Sequence, residues 1–170
     1  DIHTDEHRDD SFIALSRFLE YRQVFIAARD LKELFFDHIN QQLASSREAY
    51  PEVDVSAAFA HILRERCGSS DPTLTRMVTQ LFRSLTRDRF GLFEDTFWTL
   101  NEFRRHFRLG VVSDAQRPYT MPELHSLHLD HFFKGIVLSS DYGFRKPDPR
   151  VFHIALAMLA TPPEQAAYIG

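Results

Sequence analysis

A single cysteine, Cys67, stands in the whole chain, which excludes a disulfide framework and any metal site built on cysteine. That scarcity fits a reducing compartment, and a cytoplasmic location is expected. Cys67 ends an apolar helical run just before Gly68 and reads as a small buried or half-buried hydrophobe. Glycine is scarce too, six in 170 residues. None forms a glycine-rich fingerprint after an apolar strand, which argues against a nucleotide-binding or redox α/β domain. No apolar run approaches the ~18 residues of a membrane span, and the acidic start is not that of a signal peptide. Charge of one sign is not concentrated either. The net charge is −4 and the arginines are scattered beside acids, so neither a nucleic-acid partner nor an anionic membrane surface is expected. No internal repeat or low-complexity segment is present.

What the chain has in quantity is phenylalanine, sixteen in all, within a 44% hydrophobic composition. That is enough for a real core, with many of these rings packed together between helices. The first half reads as four amphipathic helices: Ser11–Tyr21, Asp30–Leu43, Val55–Cys67 and Asp71–Leu85. Each carries an apolar stripe at helical spacing. Asp9, Asp10 and Ser11 supply acid and capping chemistry to the first, Asp54 caps the third and Gly68 stops it, and Asp71-Pro72 starts the fourth. With no strand among them, they read as a small bundle.

The second half changes character. A helix is expected over Asp95–Phe107, then a short β-branched apolar run at Leu109–Ser113 with the look of a buried parallel strand. A short helix Pro122–Leu129, a second strand Gly135–Ser139, a helix Pro149–Leu159 capped by Asp148, and a third strand Ala166–Gly170 complete the βαβ rhythm of a parallel α/β sheet. The hand-over between the halves falls near 88–94. Three strands make a thin sheet, and a strand ending on Gly170 looks cut.

Two places could carry chemistry. Ser113 ends the first strand, where open α/β sheets bind ligands. With free backbone N–H groups at Asp114 and Ala115 it would form an anion cradle; it could equally just cap the turn, and spacing alone leaves both open. Lys146 sits in Gly143-Phe144-Arg145-Lys146-Pro147-Asp148-Pro149, where two prolines stiffen the loop and Asp148 caps the next helix. A lysine held this way suits a phosphoryl group or a metal-bound carboxylate, although a lysine is more often simply solvated. A serine and a lysine without nucleophile, general acid or metal ligands are an incomplete site. His38, His61 and the segment Arg83–Arg89 read first as solvated helix surface. His106, His125, His128 and His131 show no metal-ligand spacing.

Leu109–Ala115, followed about thirty residues on by Ser139-Ser140-Asp141-Tyr142-Gly143-Phe144-Arg145-Lys146-Pro147-Asp148-Pro149, resembles the second and third motifs of the haloacid dehalogenase-like hydrolase superfamily. Ala166-Ala167-Tyr168-Ile169-Gly170 looks like the strand leading into the fourth motif, and Asp1–Glu6 like the stretch just after the first. The resemblance implies an α/β, Rossmann-like parallel core with an inserted all-helical cap: a linker over 1–8, the cap over 9–90 and an incomplete core over 91–170. It implies a phosphatase acting on a small phosphorylated metabolite. One aspartate would attack phosphorus, a second would act as acid and base, and Mg2+ would bridge carboxylate and phosphate. Ser113 and Lys146 would be catalytic, and Ser113, the Asp114 N–H and Lys146 would bind the phosphoryl group. The chain is expected to lack the aspartates of the first motif and the acidic metal ligands of the fourth, so that it holds no metal ligand and does not turn over by itself. The alternatives are a 2-haloacid dehalogenase-type hydrolase, which needs no metal, and a non-catalytic binding protein on the same fold. The substrate and the oligomeric state stay open.

Overall fold

A computed structural model describes residues 5–68 and 71–170, with side chains from residue 9 onward. The chain divides into two compact units. One comprises the chain up to Ser46 together with Val53–Phe90; the other comprises Arg47–Glu52 with Gly91–Gly170. The first unit is built from four helices, α1 (Asp5–Tyr21), α2 (Ala28–Ser45), α3 (Val55–Cys67) and α4 (Pro72–Thr86). Successive helices pack on one another and α4 returns to α1, which closes a bundle.

The helix ends follow from local chemistry. Asp54 accepts a hydrogen bond from Ala57 N at 2.9 Å and Asp71 from Thr73 N at 2.8 Å, so both carboxylates satisfy amides that have no partner within the helix. Gly68 ends α3 at φ 72°, a conformation in which a side chain would be strained. At the start of α1 the expectation needs correction. α1 begins at Asp5, ahead of Ser11, and Ser11 lies buried inside the helix with its hydroxyl directed at Leu85 O. The acids at 5, 6, 9 and 10 therefore lie in the first turns, where the helix dipole favours negative charge. Of the expected linker, residues 1–4 fall outside the described residues.

The bundle core is aromatic. Phe12, Leu15, Leu31, Phe35, Phe59 and Ile62 are buried, and Phe35 lies 4.9 Å from Phe59 and 5.7 Å from Phe12 in tilted geometries that suit ring quadrupoles. Cys67 is exposed, contrary to the buried reading, because the packed stripe of α3 ends at Leu63, a turn earlier.

In the second unit, β1 (Gly110–Ser113) and β2 (Gly135–Leu138) pair in parallel, with Gly110 opposite Gly135 and Ser113 opposite Leu138. α5 (Thr96–Phe103) precedes β1, and α6 (Arg117–Ser126) lies in the crossover between the strands; α7 (Pro149–Leu159) follows β2 and packs on both strands. Its Val151 and Ala155 form a core with Val137 and Phe144. The approach is close: a Cβ at Gly135 would stand 2.8 Å from Met158 Cβ.

Three expectations are corrected here. α5 stops at Phe103 rather than Phe107, because the chain tightens there: Arg105 N bonds Glu102 O and His106 N bonds Phe103 O. α6 begins at Arg117, with Pro118 in its first turn and Pro122 inside it, so the earlier proline marks the start. Ala166–Gly170 is not a strand, and the sheet among the described residues has two strands. A strand exists through its partner, and this segment meets none there; Tyr168 instead sets its ring edge-on to Phe152 at 5.0 Å. Other phenylalanines lie outside this packing: Phe93 is 86% exposed, and Phe97, Phe103 and Phe107 are also exposed.

Candidate active site

The carboxyl end of β1 is where the sequence-derived residues meet. Ser113 closes the strand and is half-buried, and the chain turns through Asp114 and Ala115 into α6. The Asp114 carboxylate reaches across to the loop after β2 and accepts the main-chain N–H of Lys146 at 2.9 Å. The Lys146 side chain runs back toward β1, with Nζ 3.5 Å from Val112 O and 3.1 Å from the Tyr168 hydroxyl. An ammonium has three donors. One bonds Tyr168 and one makes a long contact with Val112 O; the third has no hydrogen-bond partner among the described residues. Lys146 is thus brought to the Ser113–Asp114 turn, some thirty positions away in sequence.

One part of the expected cradle is corrected. The Ala115 N–H is not free, because it donates to Ser139 Oγ at 2.9 Å.

The Lys146 loop is fixed from both sides. Gly143 turns at φ 76°, Phe144 is buried in the core beneath, and Asp148 caps α7 by accepting from Arg150 N at 3.0 Å. The Arg150 guanidinium also grips Asp148, at 3.0 and 2.7 Å. These bonds from Arg150, side chain first and main chain second, hold the Asp148 carboxyl below the usual carboxylate range. Arg150 additionally pairs with Glu48 and stacks over the Phe144 ring at 3.8 Å.

Several residues that complete this arrangement are not evident from sequence. Ser139, 1% exposed, donates its hydroxyl to Glu52 Oε2 at 2.5 Å. Ser140 Oγ accepts from Arg117 N at 2.9 Å. Arg117 forks onto both oxygens of Asp141 at 2.6 Å, and that bond raises the guanidinium pKa. Ser139-Ser140-Asp141 right after a buried strand was the one signal that could have pointed to these clamps. Nothing in the local sequence marks Glu52 or Tyr168.

Several histidines have partners of their own. His38 and His61 stack in the helical bundle with ring centroids 4.4 Å apart. His125 meets Asp130 at 3.2 Å, and His131 lies against Phe132. In the Arg83–Arg89 segment, Arg87 sits over the Phe90 ring at 4.0 Å. Among the described residues no three His, Cys, Asp or Glu side chains group so as to hold a metal ion. Nor is any described helix long and apolar enough to cross a membrane.

Comparison with known proteins gives this geometry its context. The chain is 28% identical to the phosphoserine phosphatase of Thermus thermophilus over 134 residues, 74% of this chain and 53% of that protein. It is 28% identical to the glyceraldehyde 3-phosphate phosphatase of Methanopyrus kandleri over 113 residues, 66% of this chain and 48% of that one. It is 30% identical to the pyrophosphatase PpaX of Bacillus pumilus over 105 residues, 59% of this chain and 49% of that one. The chain thus spans about half the length of the curated relatives it matches. The family model for haloacid dehalogenase-like hydrolases matches residues 26–170, most of the chain, and the protein belongs to that family.

Proposed function

We propose that the whole protein is a phosphatase acting on a small phosphorylated metabolite through an aspartyl-phosphate, and that this chain supplies its phosphate-binding turn and lysine. The observation that carries the reading is the placement of Lys146: its ammonium stands at the carboxyl end of β1, and its main chain is tied to Asp114. The curated relatives support it, since all three are named as phosphatases or a pyrophosphatase.

In this reading Ser113 Oγ and the Asp114 N–H donate to phosphoryl oxygens, and Lys146 neutralises charge on the transferring group. Phosphoryl transfer leaves a protein mainly positioning and charge stabilisation to perform. Tyr168, which accepts from Lys146 Nζ, keeps the ammonium at the strand end when no ligand is bound. Attack on phosphorus and proton transfer are assigned to carboxylates other than those described here, because Asp114 is engaged with Lys146 N. We accordingly expect the 170-residue span alone not to turn over. The described residues do not by themselves fit a magnesium ion, so a magnesium requirement is proposed for the whole protein only. Helices α1–α4 are proposed as the cap over 9–90, with the core over 91–170, and the cytoplasm as the compartment.

The test is phosphate release from an aryl phosphate by the longest natural form, with magnesium and then with chelator. Magnesium-dependent turnover that falls roughly 100-fold or more in Lys146→Ala is the expected result, since lost charge stabilisation of a transition state costs about that much. Turnover that ignores Lys146→Ala would sink the assignment. Halide release from a 2-haloacid with no phosphate release would move the protein to the dehalogenase class.

A further inference from the structure

The six residues Arg47–Glu52 leave α2 and return to α3, yet they pack within the α/β unit. Where they depart, the chain is pinched shut: the Gln42 side chain exchanges two hydrogen bonds with the Asp54 main chain, at 2.9 and 2.7 Å. The segment then lies along the Lys146 loop. Arg145 N donates to Tyr50 O at 2.9 Å, Glu52 N donates to Gly143 O at 3.0 Å, and Pro51 bridges Phe144 in antiparallel fashion. Its two acids grip the two loops that carry the proposed phosphate ligands. Glu48 pairs with Arg150, which holds the Asp148 cap beyond Lys146. Glu52 accepts from the buried Ser139 hydroxyl, and its other oxygen faces Gln116 Nε2 at 3.5 Å.

The consequence of the Glu52 bond is directional. A serine hydroxyl has one proton. Because Glu52 takes it at 2.5 Å, Ser139 Oγ presents its lone pairs toward the Ala115 N–H, 2.9 Å away. Ala115 is the second residue after Ser113, so this bond sets the path of the turn that aims Ser113 Oγ and the Asp114 N–H. We propose that Glu52 is a positioning residue for that turn: through Ser139 it fixes the anion-binding geometry without touching the ligand. The inference rests on the phosphatase reading for its functional half and on the geometry alone for its structural half.

Two readouts on the longest natural form separate those halves. The first is amide hydrogen exchange at Ala115. Glu52→Ala and Ser139→Ala are each expected to speed it, while Glu52→Gln, which keeps an acceptor oxygen for Ser139, holds it near the wild-type rate. The second is turnover of an aryl phosphate. Glu52→Ala is expected to lower kcat roughly 10- to 100-fold, the cost of a small misplacement near reacting atoms, and Glu52→Gln to restore most of it. Should Glu52→Ala fail to fold, Glu52→Asp, which withdraws the carboxylate by one carbon, is expected to show the same losses. Unchanged exchange at Ala115 overturns the proposal. So does faster exchange with unchanged kcat, and so does a Glu52→Gln variant as impaired as Glu52→Ala, which would assign the effect to charge. Exchange that responds as expected in a protein whose wild type releases no phosphate overturns the phosphatase reading and leaves the Glu52–Ser139–Ala115 relay standing.

Discussion

At Gly135 the backbone of β2 and the side chain of Met158 leave no room for a methyl group, since an added Cβ would come within 2.8 Å of Met158 Cβ. Relief requires α7 to shift on the sheet, and α7 is the helix that follows Lys146. Gly135→Ala is therefore expected to destabilise the protein by about 1–3 kcal/mol, as overpacking does. Gly91→Ala, with nothing within 4 Å of its new methyl, is expected to leave the urea midpoint in place. Equal midpoints for the two variants would show that α7 gives way freely. At this scale the site was half legible. Ser113, Asp114 and Lys146 stood out because a strand end and a stiff Lys-Pro-Asp-Pro loop are local patterns. Glu52 did not, since it meets Ser139 across 87 positions, and no local pattern encodes such a pair. The Ala115 N–H was assigned to the ligand for the same reason: its acceptor, Ser139 Oγ, lies just after β2, 24 positions away.

Among the elements, the helices capped by their own sequence were the readable ones. Asp54 and Gly68 bound α3, Asp71 starts α4, and Asp148 starts α7. The third strand was misread because alternation and β-branching describe only half of a strand, the other half being an edge to pair with. The pairing of α2 with α3 carries a pH dependence of its own. His38 is held below the usual histidine pKa, first by burial and then by the neighbouring His61, with Glu65 and Asp54 pulling the other way. Its Nδ1 is buried without a hydrogen-bond partner. A folded pKa below the unfolded one means that the unfolded chain takes up the proton first. The contribution of neutral His38 is thus present above about pH 6.5 and declines as the pH falls from there toward the folded value. The melting temperature should drop as the pH is lowered below about 6.5, and His38→Gln should flatten that slope. An identical slope in the variant would place the titration elsewhere.

For the molecule as a whole, four helices with no strand among them are followed by strands only from Gly110 onward, and the two compact units divide at Phe90 and Gly91; a bundle and a parallel sheet bury their apolar residues at different spacings. The excursion of Arg47–Glu52 from the helical stretch into the α/β unit was not legible in the sequence, since it rests on main-chain bonds and on Glu48 and Glu52 pairs that reach 102 and 87 positions along the chain. The exposed aromatic residues of α5 have a further consequence. Trp98 is the one tryptophan of the chain, is 71% exposed, and lies in the α/β unit. The four-helix unit contains no indole at all, so it is dark to tryptophan fluorescence while contributing most of the helical circular dichroism. Denaturation followed by both signals should resolve the two units if they melt apart, and superimposed curves would show a single cooperative transition. The same indole, standing in water on α5, makes the chain its own optical reporter: whatever comes to cover that helix should shift its emission to the blue without any label being added.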